Sequence, residues 1–265
     1  MSFAEKDRYS MNDLVEIMRL LRSPEGCSWD RAQTHFSIRQ NVIEEAYEVA
    51  DAIDRSDSKA LCEELGDLLL QTVFHAQMAE EAGTFNIEDV ADGICKKLIR
   101  RHPHIFGDLK LSSTEEIFDT WEKIKVEEKG QNTFSETAQA VPSNFPALMR
   151  SQKVRKRLAK SGFDYPDIHY AIENMESEVA ELKEAIQKND SENTFEELGD
   201  VLFSAVNVAR FLDMDAELAL TRSCEKFMNR FEKLEELALK EGIDMKKSTL
   251  DELNNLWCRV KSTGV

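Results

Sequence analysis

The chain reads as an all-α protein made of two tandem helical-bundle modules related by internal duplication. Three observations carry that reading. Apolar residues recur at three- and four-residue spacing, and convincing alternating runs are absent. Only ten glycines and five prolines interrupt 265 residues of helix-prone composition. The pentapeptide EELGD stands at 63–67 and again at 196–200.

Taken in order, residues 10–22 form an amphipathic helix, and 24–36 (PEGCSWDRAQTHF) read as a loop. Helices over 38–54 and 59–82 follow, separated by the polar DRSDSK. Two more fit at 86–101 and 114–128, with HPHIFGD breaking the chain between them. Residues 129–147 (KGQNTFSETAQAVPSNFPA) are polar, hold Pro142 and Pro146 and show no period, which predicts a linker or long excursion.

The pattern then begins again. MRSQKVRKRLAKSGFDY mirrors the first helix and its loop, helices at 169–188 and 193–212 mirror the hairpin, and 215–240 and 249–261 mirror the end. Trp29-Asp30 answers to Phe163-Asp164 and His35 to His169, at an offset of 134. Glu45, Glu48, Glu64 and Asp67 answer to Glu178, Glu181, Glu197 and Asp200, all at 133. Lys97 and Arg101 answer to Lys226 and Arg230 at 129, and Trp121 and Lys125 to Trp257 and Lys261 at 136. Offsets that drift only in loops are what duplication of a helical unit leaves. The expected division is an N-terminal module over 1–129, a linker over 130–147 and a C-terminal module over 148–265.

Composition excludes several function classes. A net charge of −17 repels a phosphate backbone, so no nucleic-acid polymer is expected as a partner. No apolar run approaches the roughly 18 residues of a membrane helix. The start, MSFAEKDRYSMNDL, lacks the profile of a secretory signal, and five scattered cysteines without a CxxC pair fit reduced thiols. The expected location is the cytoplasm.

The chemistry lies in the acids. Each module reads E-x-x-E, fifteen residues, E-x-x-D. Residues at i and i+3 share a helix face, and fifteen residues suffice to end one helix, turn and return antiparallel. One such pair carries no weight, because 51 acidic residues give about ten by chance, mostly on solvated faces. Two pairs with identical spacing in both modules, running into apolar helices, predict a carboxylate cluster at the edge of a core. Such a cluster repels itself unless a cation neutralises it, and oxygen donors without His or Cys favour Mg²⁺, with Mn²⁺ as a substitute. The expected metal ligands are Glu178, Glu181, Glu197 and Asp200, with Glu45, Glu48, Glu64 and Asp67 in the first module. Gly66 and Gly199, unfavourable in a helix interior, predict close approach of another helix or a ligand.

Other sites fail on residue type. A di-iron bundle needs E-x-x-H, and no acid stands three residues before His35, His75, His102, His104 or His169. Phosphate-binding and dinucleotide-binding glycine fingerprints are also absent. The histidines read as packing or loop residues.

WDRAQTH, NVIEEAYEVADAI, EELGDLLLQTVFHA and RRHPHIFGD resemble the first half of the MazG family of nucleoside triphosphate pyrophosphohydrolases. GFDY, ESEVAELKEAI, EELGDVLFSAVNVAR, EKFMNRF and LW resemble its second half. The likeness covers nearly the whole chain and includes the linker position. It implies tandem all-α modules, a dimer, and Mg²⁺-assisted splitting of nucleoside triphosphates into monophosphate and pyrophosphate. The four-carboxylate pattern alone is shared with all-α dUTPases and phosphoribosyl-ATP pyrophosphatases, so it speaks to reaction class more than to substrate.

With the likeness in view, Lys226 and Arg230, i and i+4 on one helix, become candidates to grip the triphosphate. Taken alone, they would be an ordinary surface pair. Trp257 and Lys261 become candidates to cover the base and a phosphate, with a core tryptophan as the alternative. Asn174 and Glu196 join Glu178 and Asp200 as candidate substrate contacts, and Phe163-Asp164 as candidate lining of the base end. Glu178, Glu181, Glu197 and Asp200 are the candidate catalytic set.

Charge separates the modules. Residues 148–170 carry six Lys/Arg and two Asp, a balance of +4, whereas 11–33 carry three Arg against four acids, a balance of −1. An anionic nucleotide favours the second module as catalyst. The competing readings are a narrower deoxynucleotide or dUTP pyrophosphatase, and a non-catalytic helical interaction protein. Exposed apolar helix faces predict a homodimer; a regulatory protein partner is left without identity.

Overall fold

The computed structural model describes residues 5–262, and among these every regular element is a helix. The chain divides into two compact units, 1–124 and 125–265.

In the first unit α1 (Met11–Leu21) is started by a capping box in which Ser10 accepts from the Asp13 amide and Asp13 from the Ser10 amide. After α2 (Ser28–Ala32), α3 (Arg39–Asp54) and α4 (Ser58–Glu81) form a tight antiparallel hairpin. α1 packs on α4, burying Met18, Ile38, Val73, Phe74 and Met78 as one core with Leu14, Val15, Leu70 and Ile87 around it. α5 (Ile87–Arg101), capped by Asn86 and Asp89, leans on α4 and is followed by the short α6 (Pro103–Phe106). α7 (Thr114–Glu128) spans the boundary between the units.

In the second unit α8 (Phe134–Gln139) packs on α9 (Ala147–Ala159), which lies against α11 and α12. α10 (Ile168–Gln187) and α11 (Ser191–Phe211) make the second hairpin. α12 (Ala216–Glu241) ends at Gly242, whose φ of 68° supplies the left-handed residue that closes a long helix. α13 (Leu250–Ser262) returns along it, enclosing Leu234, Ala238, Leu256 and Val260.

The duplication is visible in the backbone. Ser56 and Asn189, 133 residues apart, both take positive φ (55° and 54°) in the hairpin turns. Each is followed by an aspartate, Asp57 or Asp190, whose carboxylate accepts amide hydrogens at the start of the next helix. Ala52 and Ala185, also 133 apart, are fully buried just before the turns, where a small side chain lets the paired helices close.

Three stretches differ from the sequence reading, one being the HPHIFGD break, which contains α6. The 24–36 loop contains α2, and the 130–147 segment expected to be featureless contains α8. Thr133 and Glu136 form a capping box at its start, and Arg157 of α9 donates to the carbonyl of Thr137. Short capped turns carry too few residues to show a period.

Candidate functional site

The hairpins bring the acids together. Glu178 projects from α10, and Glu197 and Asp200 project from α11; one carboxylate oxygen from each lies within 4.8 Å of the others. Glu45, Glu48 and Glu64 converge within the same limit in the first unit. Glu181 and Asp67, the remaining expected ligands, fall outside these groups of three but are close enough to act on them by charge. Burial pushes the Glu197 carboxyl above its ordinary range, and Glu181, Asp200, Glu178 and Glu196 push it the same way. Glu45 is raised first by burial, then by Asp67 and Glu48. Glu64 is raised by burial, then by Glu48, Glu63 and Asp67, against a weaker pull from Arg55.

Asn174 Nδ2 donates to Glu178 Oε1 at 3.0 Å, and Ser177 Oγ donates to Glu181 Oε1 at 3.0 Å. These neutral donors orient Glu178 and Glu181. The donor set is all oxygen and acidic, so the residues present fit a hard divalent cation. The close approach expected at Gly66 and Gly199 does not occur within the chain: a Cβ at either would meet no described atom within 4 Å. The absence of a side chain instead leaves the surface beside each acidic group low.

The other candidates are placed as follows. Lys226 is exposed and Arg230 half-buried on α12, a helix that packs mainly on α13 and α9 and only lightly on α11. Trp257 packs on the Leu234–Val260 core with its ring 5.2 Å from that of Phe227, the arrangement of a core-edge tryptophan. Lys261 is exposed near the end of α13, and Glu196 is exposed beside Glu197. In the first unit the matching pair is in contact, with the Arg101 guanidinium 5.0 Å from the Trp121 ring centre. Asp164 pairs with Arg210, tying the 163–165 loop to α11.

Two arrangements escaped the sequence reading. His35 and His75 stack with centroids 5.1 Å apart and Nδ1 atoms 2.8 Å apart, a contact across forty residues with no counterpart spacing in the second module. Arg155 lies between the rings of Tyr165 and Phe203. It is one of six cations on α9 and its loop, and nothing in the sequence separates it from the rest.

Comparison with known proteins decides the family. The MazG nucleotide pyrophosphohydrolase domain matches twice, over residues 33–106 and 168–234, spans that hold both acidic hairpins. The chain is also 45% identical over 249 residues to the nucleoside triphosphate pyrophosphohydrolase/pyrophosphatase MazG of Thermotoga maritima, across 94% of each chain. The chain belongs to the MazG family. A second relative, the nucleoside triphosphate pyrophosphohydrolase of Escherichia coli (strain K12), is 42% identical over 94% of this chain and 95% of its own. The Mycolicibacterium smegmatis protein of the same name is 39% identical over 57% of this chain and 46% of its own. MazG membership makes the chain a hydrolase of nucleotide phosphoanhydrides, built as the tandem all-α repeat that the sequence predicts. Among the described residues no helix is long and apolar enough to cross a membrane.

Proposed function

We propose that the chain is a Mg²⁺-dependent nucleoside triphosphate pyrophosphohydrolase that directs water to the α-phosphorus and releases monophosphate and pyrophosphate. The observation that supports this reading best is the convergence of Glu178, Glu197 and Asp200 within 4.8 Å across a helical hairpin of a MazG chain. Glu178, Glu181, Glu197 and Asp200 would hold the cation. When bound, it supplies charge neutralisation for the triphosphate and acidity for a coordinated water.

The protein's own groups do the rest. A carboxylate oxygen not committed to the cation accepts the proton of the attacking water. Lys226 and Arg230, a turn apart on α12, and Lys261 on α13 offer positive charge to the phosphates and the departing pyrophosphate. Asn174 fixes Glu178, and Glu196 and Trp257 complete the substrate contacts. The second module is the main catalyst in this reading, because its leading helix and loop carry the positive balance. The first module retains a cation site through Glu45, Glu48, Glu64 and Asp67.

The chain also works in this reading as a cytoplasmic homodimer. Phe195, Leu198 and Leu202 share an exposed face of α11, and all five cysteines are free. Light scattering on a size-exclusion column tests the dimer; a monomeric mass rejects it.

The activity test is an incubation of each triphosphate with Mg²⁺, with and without EDTA, resolving the products. Monophosphate and pyrophosphate, lost with EDTA and with Glu197→Ala, are expected. Diphosphate and inorganic phosphate would reject attack at the α-phosphorus. Activity that survives Glu197→Ala but dies with Glu64→Ala would move catalysis to the first module.

A further inference from the structure

Arg155 is half-buried on α9, with its guanidinium 5.7 Å from the Tyr165 ring centre and 5.6 Å from that of Phe203. Cation–π contacts of this kind engage the guanidinium through its charge and leave its N–H groups for polar contacts. Among the described residues no acceptor takes a hydrogen from those groups. Other arginines in the fold are engaged: Arg157 with the Thr137 carbonyl, Arg210 with Asp164 and Asn207, and Arg22 with Glu81.

Arg155 lines a cleft of about 100 Å³ together with Phe163, Asp164 and Tyr165. Phe163 is 77% exposed, a large ring offered to solvent beside the guanidinium. Asp164, the one carboxylate among the lining residues, is already taken by Arg210 and by the Tyr165 amide. Arg210 also donates to the buried Asn207 at 2.9 Å, so the loop is anchored to α11 from below. Phe203 stands one turn beyond Asp200 on α11, about 5 Å along the axis. Through Phe203, Arg155 packs against the helix that carries Glu197 and Asp200. In the first module Arg22, 133 positions before Arg155, also lies over a ring, that of Phe74 at 5.4 Å, but its guanidinium is taken by Glu81.

We propose that this cleft receives the nucleobase of the triphosphate held at the acidic cluster and selects bases carrying a carbonyl where adenine and cytosine carry an amine. The inference rests on the pyrophosphohydrolase reading above. A guanidinium offers donors only. Guanine O6 and N7 accept two of them side by side, and uracil or thymine O4 accepts one. The amino groups of adenine and cytosine set donor against donor. The Phe163 ring supplies a stacking face that does not distinguish bases.

The test is kcat/KM for GTP, UTP, ATP and CTP on the full chain, its Arg155→Met variant and its Phe163→Ala variant, with circular dichroism to verify folding. Dissociation constants for non-hydrolysable GTP and ATP analogues are measured alongside. The parent is expected to favour GTP over ATP and UTP over CTP by about tenfold. Arg155→Met keeps the packing between the rings and should level the four; Phe163→Ala should raise KM for all of them. A base profile unchanged in Arg155→Met overturns the proposal, and so does an equal loss for all four, which would make Arg155 a phosphate contact. Should Arg155→Met fail to fold, an unchanged KM in Phe163→Ala overturns it. Turnover without base preference sinks this inference alone, whereas no turnover of any nucleotide sinks the pyrophosphohydrolase reading beneath it.

Discussion

Asn174 holds Glu178 from one helical turn away, donating through Nδ2 to Oε1 at 3.0 Å. A partner that orients a ligating carboxylate typically contributes ten- to a hundredfold in metal affinity. Asn174→Ala is therefore expected to weaken Mg²⁺ binding by about tenfold while leaving the far-ultraviolet circular dichroism unchanged. The Mg²⁺ concentration that half-saturates the thermal stabilisation reads this directly. An unshifted midpoint would assign the bond no part in cation binding.

The raised carboxyls make a signed prediction about pH. Glu45, Glu64 and Glu197 hold their protons to higher pH in the folded protein than in the unfolded chain. Folding therefore takes up protons above the ordinary carboxylate value near 4.5, and the metal-free protein loses stability as pH rises through that window. A divalent cation should reverse the loss. The rise in Tm on adding Mg²⁺ is expected to be large near neutral pH and to shrink as the medium is acidified; a pH-independent rise would mean the ion sits elsewhere.

The His35–His75 contact predicts the opposite slope. Two imidazoles joined through Nδ1 atoms 2.8 Å apart share one hydrogen, so both cannot be protonated without breaking the bond. Burial, and then the charge of His35, hold the His75 pKa below its ordinary value of 6.5. The unfolded chain thus binds the proton first, and this contribution is intact above 6.5 and fades as pH falls below it. Hydrogen exchange along α4 should speed up on going from neutral to mildly acidic medium. His75→Phe should flatten that dependence, and persistence of the full effect would place its origin in other groups.

Ser56 and Asn189 hold left-handed turns without being glycine. Replacing either by Gly should stabilise its unit by a few tenths to about 1 kcal/mol. Removing the following cap with Asp57→Ala or Asp190→Ala should cost about 1 kcal/mol. Urea unfolding of the four variants, followed separately in the two units, checks both signs. Destabilisation by Gly would show that the unfolded-state entropy outweighs the strain.

The hairpins were legible because periodicity, polar turns and the repeated acidic spacing all concern neighbours in sequence. A gap of fifteen residues between the two acidic pairs was enough to bring Glu178 to Glu197 and Glu45 to Glu64. The inequality within each set of four was not legible. Whether Glu181 or Asp67 joins a trio depends on rotamers and on the crossing of two helices, which spacing leaves open. Arg155 and the His35–His75 stack were invisible for a related reason. Each depends on a loop folding back onto a helix, and a loop has no period to read. Gly66 and Gly199 stand out in the sequence by their helical cost, but among the described residues no atom occupies the room they leave.

Each acidic cage closes across one hairpin between consecutive helices, joined by a turn of only a few residues. Its assembly therefore involves short loops and little search, the circumstance in which chains fold fastest. On the ribosome the first cage can be complete while the second is still untranslated, so each half of the molecule matures on its own clock.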